Sequence, residues 1–133
     1  MIPRGPSAGP PISPPSPAEA VAPVAAVQNL YDPGARGHGA VLEHTAGRGI
    51  AFVPFFPVGT GGHAGPAGPV AEVAREAGAT PSQTAPAWLL RRAPHVLPVP
   101  GTSSEHHLRE NPGALDVRLT DEQFARLSAA PAS

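Results

Sequence analysis

With 133 residues the chain can form one ordinary domain, and its 20 Pro and 15 Gly leave room for only a small core. A formal net charge of −1 offers no electrostatic attraction for nucleic acid or an anionic membrane surface. The absence of Cys excludes disulfides, thiolate nucleophiles and Cys-ligated zinc. No apolar run approaches the ~20 residues of a membrane span, and the N-terminus lacks a signal-peptide core, so a cytoplasmic location is expected.

The N-terminal segment "MIPRGPSAGPPISPPSP", residues 1–17, is rich in Pro and poor in large apolar side chains. Such a segment cannot bury enough surface to offset its ordering entropy, so a disordered tail is expected. The alternative is a polyproline II ligand at "PPISPP", a short and generic match. A folded domain is therefore expected over residues 18–133.

The first half of this domain is predicted to alternate strand, helix and strand. The apolar run "VAPVAAVQN", residues 21–29, predicts a buried strand, and "AVLEHTAGRG" predicts a helix that ends at Gly47 and Gly49. The continuous apolar run "IAFVPFFPVG", residues 50–59, predicts a second strand. The Gly-rich "GTGGHAGPAGP" that follows predicts a loop.

The second half is predicted to contain four helices and one more strand. "PVAEVAREAG" has helical spacing and ends at Gly78, and the capping box "TPSQ" opens a helix through "AWLLRR". Pro86 conflicts with that helix because an interior proline costs ~3 kcal/mol or more. "HVLPVP", residues 95–100, predicts a third strand. "SSEHHLREN" and "TDEQFARLSA" predict the last two helices, the latter capped by Thr120.

Strands that alternate with helices predict a parallel sheet, and in parallel α/β folds the carboxyl ends of the strands carry the site. Here those ends are Gln28 with Asn29, Phe55 with Phe56 and the loop after Gly59, and the segment from Gly101 to Ser104. Gly and hydroxyl residues before a helix suit a phosphate, although Ser103 or Ser104 as a plain N-cap is the commoner arrangement. Phe55 and Phe56 are either a platform for a flat ring or ordinary core residues. The six His show no zinc spacing, so no metal is expected.

Four segments together resemble the C-terminal portion of an aldo-keto reductase. They are "APVAAVQNLYD", "GIAFVPFFPVGTGG", "ATPSQTAPAWLLRRAPHVLPVPGTSSEHHLREN" and "LDVRLTDEQFARL", in the family's order from about Ala20 to Leu127. The resemblance implies a (β/α)8 barrel that transfers a hydride between NADPH and a small aldehyde or ketone. It places the three predicted strands as barrel strands six, seven and eight. The fold class is thus predicted as α/β, a partial TIM barrel of about three parallel strands with covering helices.

The resemblance implies contacts at the nicotinamide end of NADPH. Gln28 would contact the nicotinamide amide, and Phe55 would stack on the nicotinamide ring. The loop along the pyrophosphate would comprise Phe56, Val58 and Gly59.

It also implies contacts at the adenosine end. The segment that grips the 2′-phosphate would comprise Gly101, Thr102, Ser103 and Ser104. His107 stands where many members have Arg, and Asn111 would meet the adenine.

No catalytic residue is assigned to this chain. The family's Asp-Tyr-Lys-His set lies on strands without a counterpart here, the sequence contains no Lys, and its one Tyr, Tyr31, belongs to "QNLYD". The chain is therefore expected to be inactive alone, because general acid catalysis has no agent. Three hypotheses stay open: a truncated reductase, a non-catalytic fragment that binds NADPH or another phosphate ligand, and a half-barrel completed by a separate N-terminal partner.

Overall fold

The computed structural model describes residues 16–55 and 67–131 of the chain. In chain order its elements are α1 (Pro17–Val21), β1 (Ala26–Leu30), α2 (Gly39–Thr45), β2 (Ala51–Phe55), α3 (Pro69–Ala77), α4 (Pro81–Arg92), α5 (Glu105–Glu110), a 3₁₀ helix (Asn111–Leu115) and α6 (Asp121–Ala129). None of these helices is long and apolar enough to cross a bilayer.

The two strands form a parallel pair, as the alternation of strands and helices predicts. Ala26 lies opposite Ala51 and Leu30 lies opposite Phe55, with α2 in the connection between the strands. One face of β2 is buried through Phe52 and Pro54, and Phe55 on the other face is exposed. The α/β class with parallel strands is therefore confirmed.

The third predicted strand, residues 95–100, is not a regular strand. Only isolated bridges join this segment to β2, between Phe52 and Val96 and between Phe55 and Val99. Phe52 exchanges hydrogen bonds with His95 and Leu97, and the Val99 N–H donates to the Pro54 carbonyl at 3.3 Å. The next bond of a parallel ladder would need an N–H at position 54, which proline lacks. Pro54 therefore interrupts the ladder, and the sheet has two regular strands.

The start of the domain also differs from the sequence prediction. Ser16 and Pro17, assigned to the tail, begin α1: the Ser16 N–H donates to Oε2 of Glu19 at 2.7 Å, as in a capping box. Val21, the first residue of the predicted strand, is the last residue of α1, and β1 begins only at Ala26. Residues 1–15 lie outside the described residues, so the disordered tail and the polyproline ligand stay predictions.

The remaining helices agree with the sequence patterns except at two prolines. α3 ends at Gly78, whose φ of 66° is left-handed and favours glycine, and α6 begins at the Thr120 cap. α4 continues through the buried Pro86. The predicted helix 103–111 is shorter, because Pro112 has no N–H to continue it and the chain tightens into the 3₁₀ helix.

A row of aromatic side chains forms the centre of the core. Trp88 is fully buried, and its ring stacks on Tyr31 at 5.9 Å and on Phe124 at 6.0 Å between centroids. Tyr31 also meets the edge of Phe52 at 5.6 Å. Since these residues come from the end of β1, from β2, α4 and α6, the row ties the sheet to both later helices.

Candidate functional site

The carboxyl ends of the three sheet segments meet at one edge of the sheet. The Tyr31 N–H, just after β1, donates to the Phe55 carbonyl at 3.3 Å, and Phe55 forms a bridge with Val99. The segment from Gly101 to Ser104 follows Val99 directly. The structure thus brings together the ends of β1 and β2 and the turn before α5.

Two predicted site residues lie on the same face of the sheet. Gln28 is opposite Val53, and Phe55 is two residues further along β2. Side chains of a strand alternate between faces, so Gln28, Val53 and Phe55 point to the face opposite the buried Phe52. Phe55 is 44% exposed, and therefore it is not one of the core aromatics. Phe56, Val58 and Gly59 lie outside the described residues.

The turn from Gly101 to Ser104 is organised by its own hydroxyl groups. Oγ1 of Thr102 accepts the Ser104 N–H at 3.0 Å, and Oγ of Ser104 accepts the His107 N–H at 3.4 Å. Ser104 is therefore an N-cap, the commoner arrangement considered from the sequence. Gly101 and Ser103 are exposed beside it.

His107 lies within α5, and Asn111 is the residue at its C-terminal end. The Asn111 N–H donates to the His107 carbonyl, and the imidazoles of His106 and His107 are 5.7 Å apart. Oδ1 of Asn111 is buried and has no hydrogen-bond partner in the described part of the chain. A buried acceptor without a donor is unfavourable, so a ligand group that donates there would be stabilised.

Gln83 contacts this region although the sequence singles it out only as a helix cap. Its Nε2 donates to the Glu110 carbonyl at 3.0 Å, next to Asn111. The contact spans 27 residues of sequence, and spacing along the chain gives no signal for it.

A separate concave region lies on the other side of β1, beside α1 and α2. Its volume is about 480 Å³, and its lining is mainly apolar, with Val24, Val27, Val41 and Ile50 among the contributors. None of the described candidate residues lines it, so it is distinct from the edge where the strands end.

The fold is α/β with parallel strands, and the exposed polar and aromatic candidate residues lie near the carboxyl ends of those strands. The sequence model of the Aldo/keto reductase family matches residues 16–131, and the chain belongs to this family.

Two curated relatives agree with this assignment. Pyridoxine 4-dehydrogenase of Escherichia coli is 43% identical over 110 residues, which are 83% of this chain and 38% of the relative. An uncharacterized oxidoreductase of Schizosaccharomyces pombe is 41% identical over 110 residues, 83% of this chain and 36% of the relative. The chain thus spans less than two fifths of the length of either relative.

Solved structures of the family are similar in fold. A thermostable aldo-keto reductase, solved with the inhibitor epalrestat, superposes with a TM-score of 0.71 at 28% sequence identity. The match covers 80% of this chain and 40% of the reductase chain. An aldo/keto reductase from Klebsiella pneumoniae, solved with NADP and acetate, has a TM-score of 0.69 at 26% sequence identity. That match covers 82% of this chain and 40% of the Klebsiella chain.

Proposed function

We propose that residues 18–133 form the C-terminal, cofactor-binding part of an NADP(H)-dependent aldo-keto reductase, arranged as strands six to eight of a (β/α)8 barrel. The observation that carries the proposal is the common face of Gln28 and Phe55 beside the turn before α5. The Klebsiella pneumoniae relative was solved with NADP, which supports this choice of cofactor. A cytoplasmic location belongs to the same proposal.

The residues at this edge fit such a cofactor. Asn111 has an unsatisfied buried acceptor, and the ring of Phe55 is available on the exposed face. Gln28 would hold the nicotinamide amide against Phe55, and Asn111 would hold the adenine. Ser103, with Gly101, Thr102, Ser104 and His107, would hold the adenosine 2′-phosphate, and Phe56, Val58 and Gly59 would follow the pyrophosphate. When bound, NADPH supplies the hydride of the reaction.

The Tyr and Lys of the family's catalytic set have no counterpart in this sequence. The sequence contains no Lys. Its one Tyr, Tyr31, is buried and stacked on Trp88, away from the exposed face of the sheet. We therefore expect the chain to bind cofactor without reducing a carbonyl substrate by itself.

A separate polypeptide that supplies the remaining barrel strands would complete the site. The observation that favours this partner is an apolar sheet face that the described residues leave uncovered. Besides Phe55, its exposed apolar side chains are those of Leu30, Leu97 and Val99, which are 37%, 56% and 47% exposed. Parallel sheets are ordinarily covered on both faces, so burial of these side chains would stabilise the assembly.

Titration of the full chain with NADPH, followed by nicotinamide fluorescence, tests the cofactor proposal. We expect a saturable change below millimolar NADPH. Phe55→Ala should weaken binding by about threefold to tenfold because an aromatic contact is lost. Val21→Ala is the control, since it truncates another exposed apolar side chain, in α1 and outside the proposed cofactor contacts. No fluorescence change up to millimolar NADPH would contradict the proposal.

Turnover separates the catalytic hypotheses. The chain alone should not oxidise NADPH in the presence of a generic aldehyde, whereas addition of a polypeptide with the family's first five strands should restore oxidation. Turnover by the chain alone would show that it contains a proton donor after all. No turnover and no complex in the mixture would exclude the complementing partner.

A further inference from the structure

Gln83 joins the beginning of α4 to the end of α5. Its Oε1 accepts the Thr80 N–H at 3.2 Å, and its Nε2 donates to the Glu110 carbonyl at 3.0 Å. Both ends of one carboxamide are therefore used, one within the helix start and one across the fold. The second bond fixes the peptide group that links Glu110 to Asn111.

The Gln83 carboxamide also lies close to Gly113 of the 3₁₀ helix. Gly113, in the 3₁₀ helix, approaches it so closely that an added Cβ would overlap Nε2 and lie 3.2 Å from Cδ of Gln83. Glycine is therefore required for this approach unless Gln83 moves. Gln83 thus contacts the chain on both sides of Asn111, by its bond to the Glu110 carbonyl and by its approach to Gly113.

Among the described residues, the side chain of Asn111 has no such tether of its own. Its N–H is bonded to the His107 carbonyl, but its Oδ1 is buried without a partner among residues 16–55 and 67–131. The direction of the Asn111 carboxamide therefore depends on the backbone to which it is attached. That backbone is held from outside α5 by Gln83.

We propose that Gln83 is a positioning residue for cofactor recognition, which orients Asn111 toward the adenine ring by holding the Glu110 carbonyl. The inference rests on the proposed NADP(H)-binding function. It adds a residue of α4, distant in sequence from the strand ends, to the determinants of adenine affinity.

Gln83→Glu separates the two bonds of this side chain. Glutamate keeps an oxygen that accepts the Thr80 N–H, so the start of α4 stays capped, but it has no donor for the Glu110 carbonyl. Gln123→Glu is a matched control. Gln123 has the same place in α6, where Oε1 accepts the Thr120 N–H at 2.9 Å, and its Nε2 donates to Glu76, not to the α5 region.

The probe is adenosine 2′,5′-bisphosphate, which carries the adenine and the 2′-phosphate, and its binding to the full chain is measured by calorimetry. Gln83→Glu should weaken binding by about fivefold to tenfold, the effect of one hydrogen bond. Gln123→Glu should stay within about twofold, as a surface change does. The double variant Gln83→Glu with Asn111→Ala should bind no more weakly than Asn111→Ala alone, because Gln83 acts through Asn111.

The outcomes distinguish this inference from the function on which it rests. Absence of binding by the unaltered chain would overturn the cofactor proposal and the inference with it. Binding by the unaltered chain with equal affinity for Gln83→Glu, or a further loss in the double variant, would overturn the inference alone. Thermal melting of both Glu variants checks that Gln83→Glu is no less stable than Gln123→Glu, so that a loss of affinity is not caused by a loss of stability.

Discussion

At the scale of single residues, the carboxylate of Glu19 shows how local and distant contacts combine. Its spacing from Ser16 is that of a capping box, which the structure shows although the sequence prediction placed Ser16 in the tail. Its contacts to Nε2 of His44 at 2.7 Å and to Arg48 at 3.2 Å span 25 and 29 residues and exist only in the folded chain. The His44 hydrogen bond, followed by those of Ser16, lowers the pKa of Glu19 to about 2.

Glu19→Gln should change the response of stability to acid. The folded pKa of about 2 is below the ordinary 4.5, so ionised Glu19 stabilises the fold fully above pH 4.5 and loses this effect as the pH falls toward 2. The variant should therefore have a lower free energy of unfolding at neutral pH and a shallower decline in this acid range. Urea unfolding followed by the fluorescence of Trp88 measures both.

The control for this variant is Glu105→Gln. Glu105 pairs with Arg109 one helical turn away, and both side chains are more than three quarters exposed, at 76% and 78%. Exposed pairs of this kind contribute little, so the control should follow the unaltered chain. A decline with acid in Glu19→Gln as steep as in the unaltered chain would refute the assigned role.

At the scale of elements, α4 contains two prolines in opposite situations. Pro81 is at the first helical position, where a missing N–H removes no intrahelical bond. Pro86 is buried inside the same helix, where it removes a donor from the hydrogen-bonding series. The helix persists because Trp88 and Leu89 on the same turn are fully buried, and this packing outweighs the local preference.

Pro86→Ala should therefore stabilise the protein. The helical preference for Ala over Pro is ~3 kcal/mol, and removal of about two buried methylene groups costs ~1.6 kcal/mol. The difference predicts a rise of about 1 kcal/mol in the free energy of unfolding, which thermal or urea unfolding can detect. Pro81→Ala in the same helix should give no rise. Destabilisation by Pro86→Ala would show that burial of the proline ring stabilises the fold more than the helical preference for Ala does.

At the scale of the whole molecule, Arg36 closes the domain by joining its first half to its last helix. Its guanidinium donates to the Pro33 carbonyl nearby, and to the carbonyls of Leu127 and Ala130 at the end of α6. The latter contacts span 91 and 94 residues. Charge-assisted bonds to the last carbonyls of a helix satisfy acceptors that no backbone N–H reaches.

Arg36→Ala should lower the free energy of unfolding by about 2 kcal/mol, since carbonyls at the end of α6 lose a charged donor. Amide hydrogen exchange should accelerate first in α6, because the helix is released at that end. Arg118→Ala is the control: Arg118 donates to the Leu115 carbonyl at 2.7 Å, an exposed contact only three residues away. Equal exchange rates in α6 for the two variants would contradict the role of Arg36.

Much of the fold was predictable from the sequence because its signals are local. The caps at Thr80 and Thr120, the stop at Gly78 and the apolar run of β2 all lie within a few residues of the elements they define. The family motifs likewise led to Gln28, Phe55 and Asn111, and the structure puts the first two on one exposed face. Their contacts with NADPH stay predictions.

Apart from α1, whose capping box is local, the errors and omissions arise where the deciding partner is distant in sequence. The segment after His95 has the composition of a strand, but the ladder is broken by Pro54 on the neighbouring strand. Gln83 has the spacing of a cap, but its second bond reaches Glu110. Composition and spacing thus predicted the class and the helices after α1, and the resemblance of the motifs indicated the family, whereas tertiary structure decided the strand pairing and the surroundings of Asn111. The reason is that a hydrogen bond needs both its donor and its acceptor, and here the second group comes from another part of the chain.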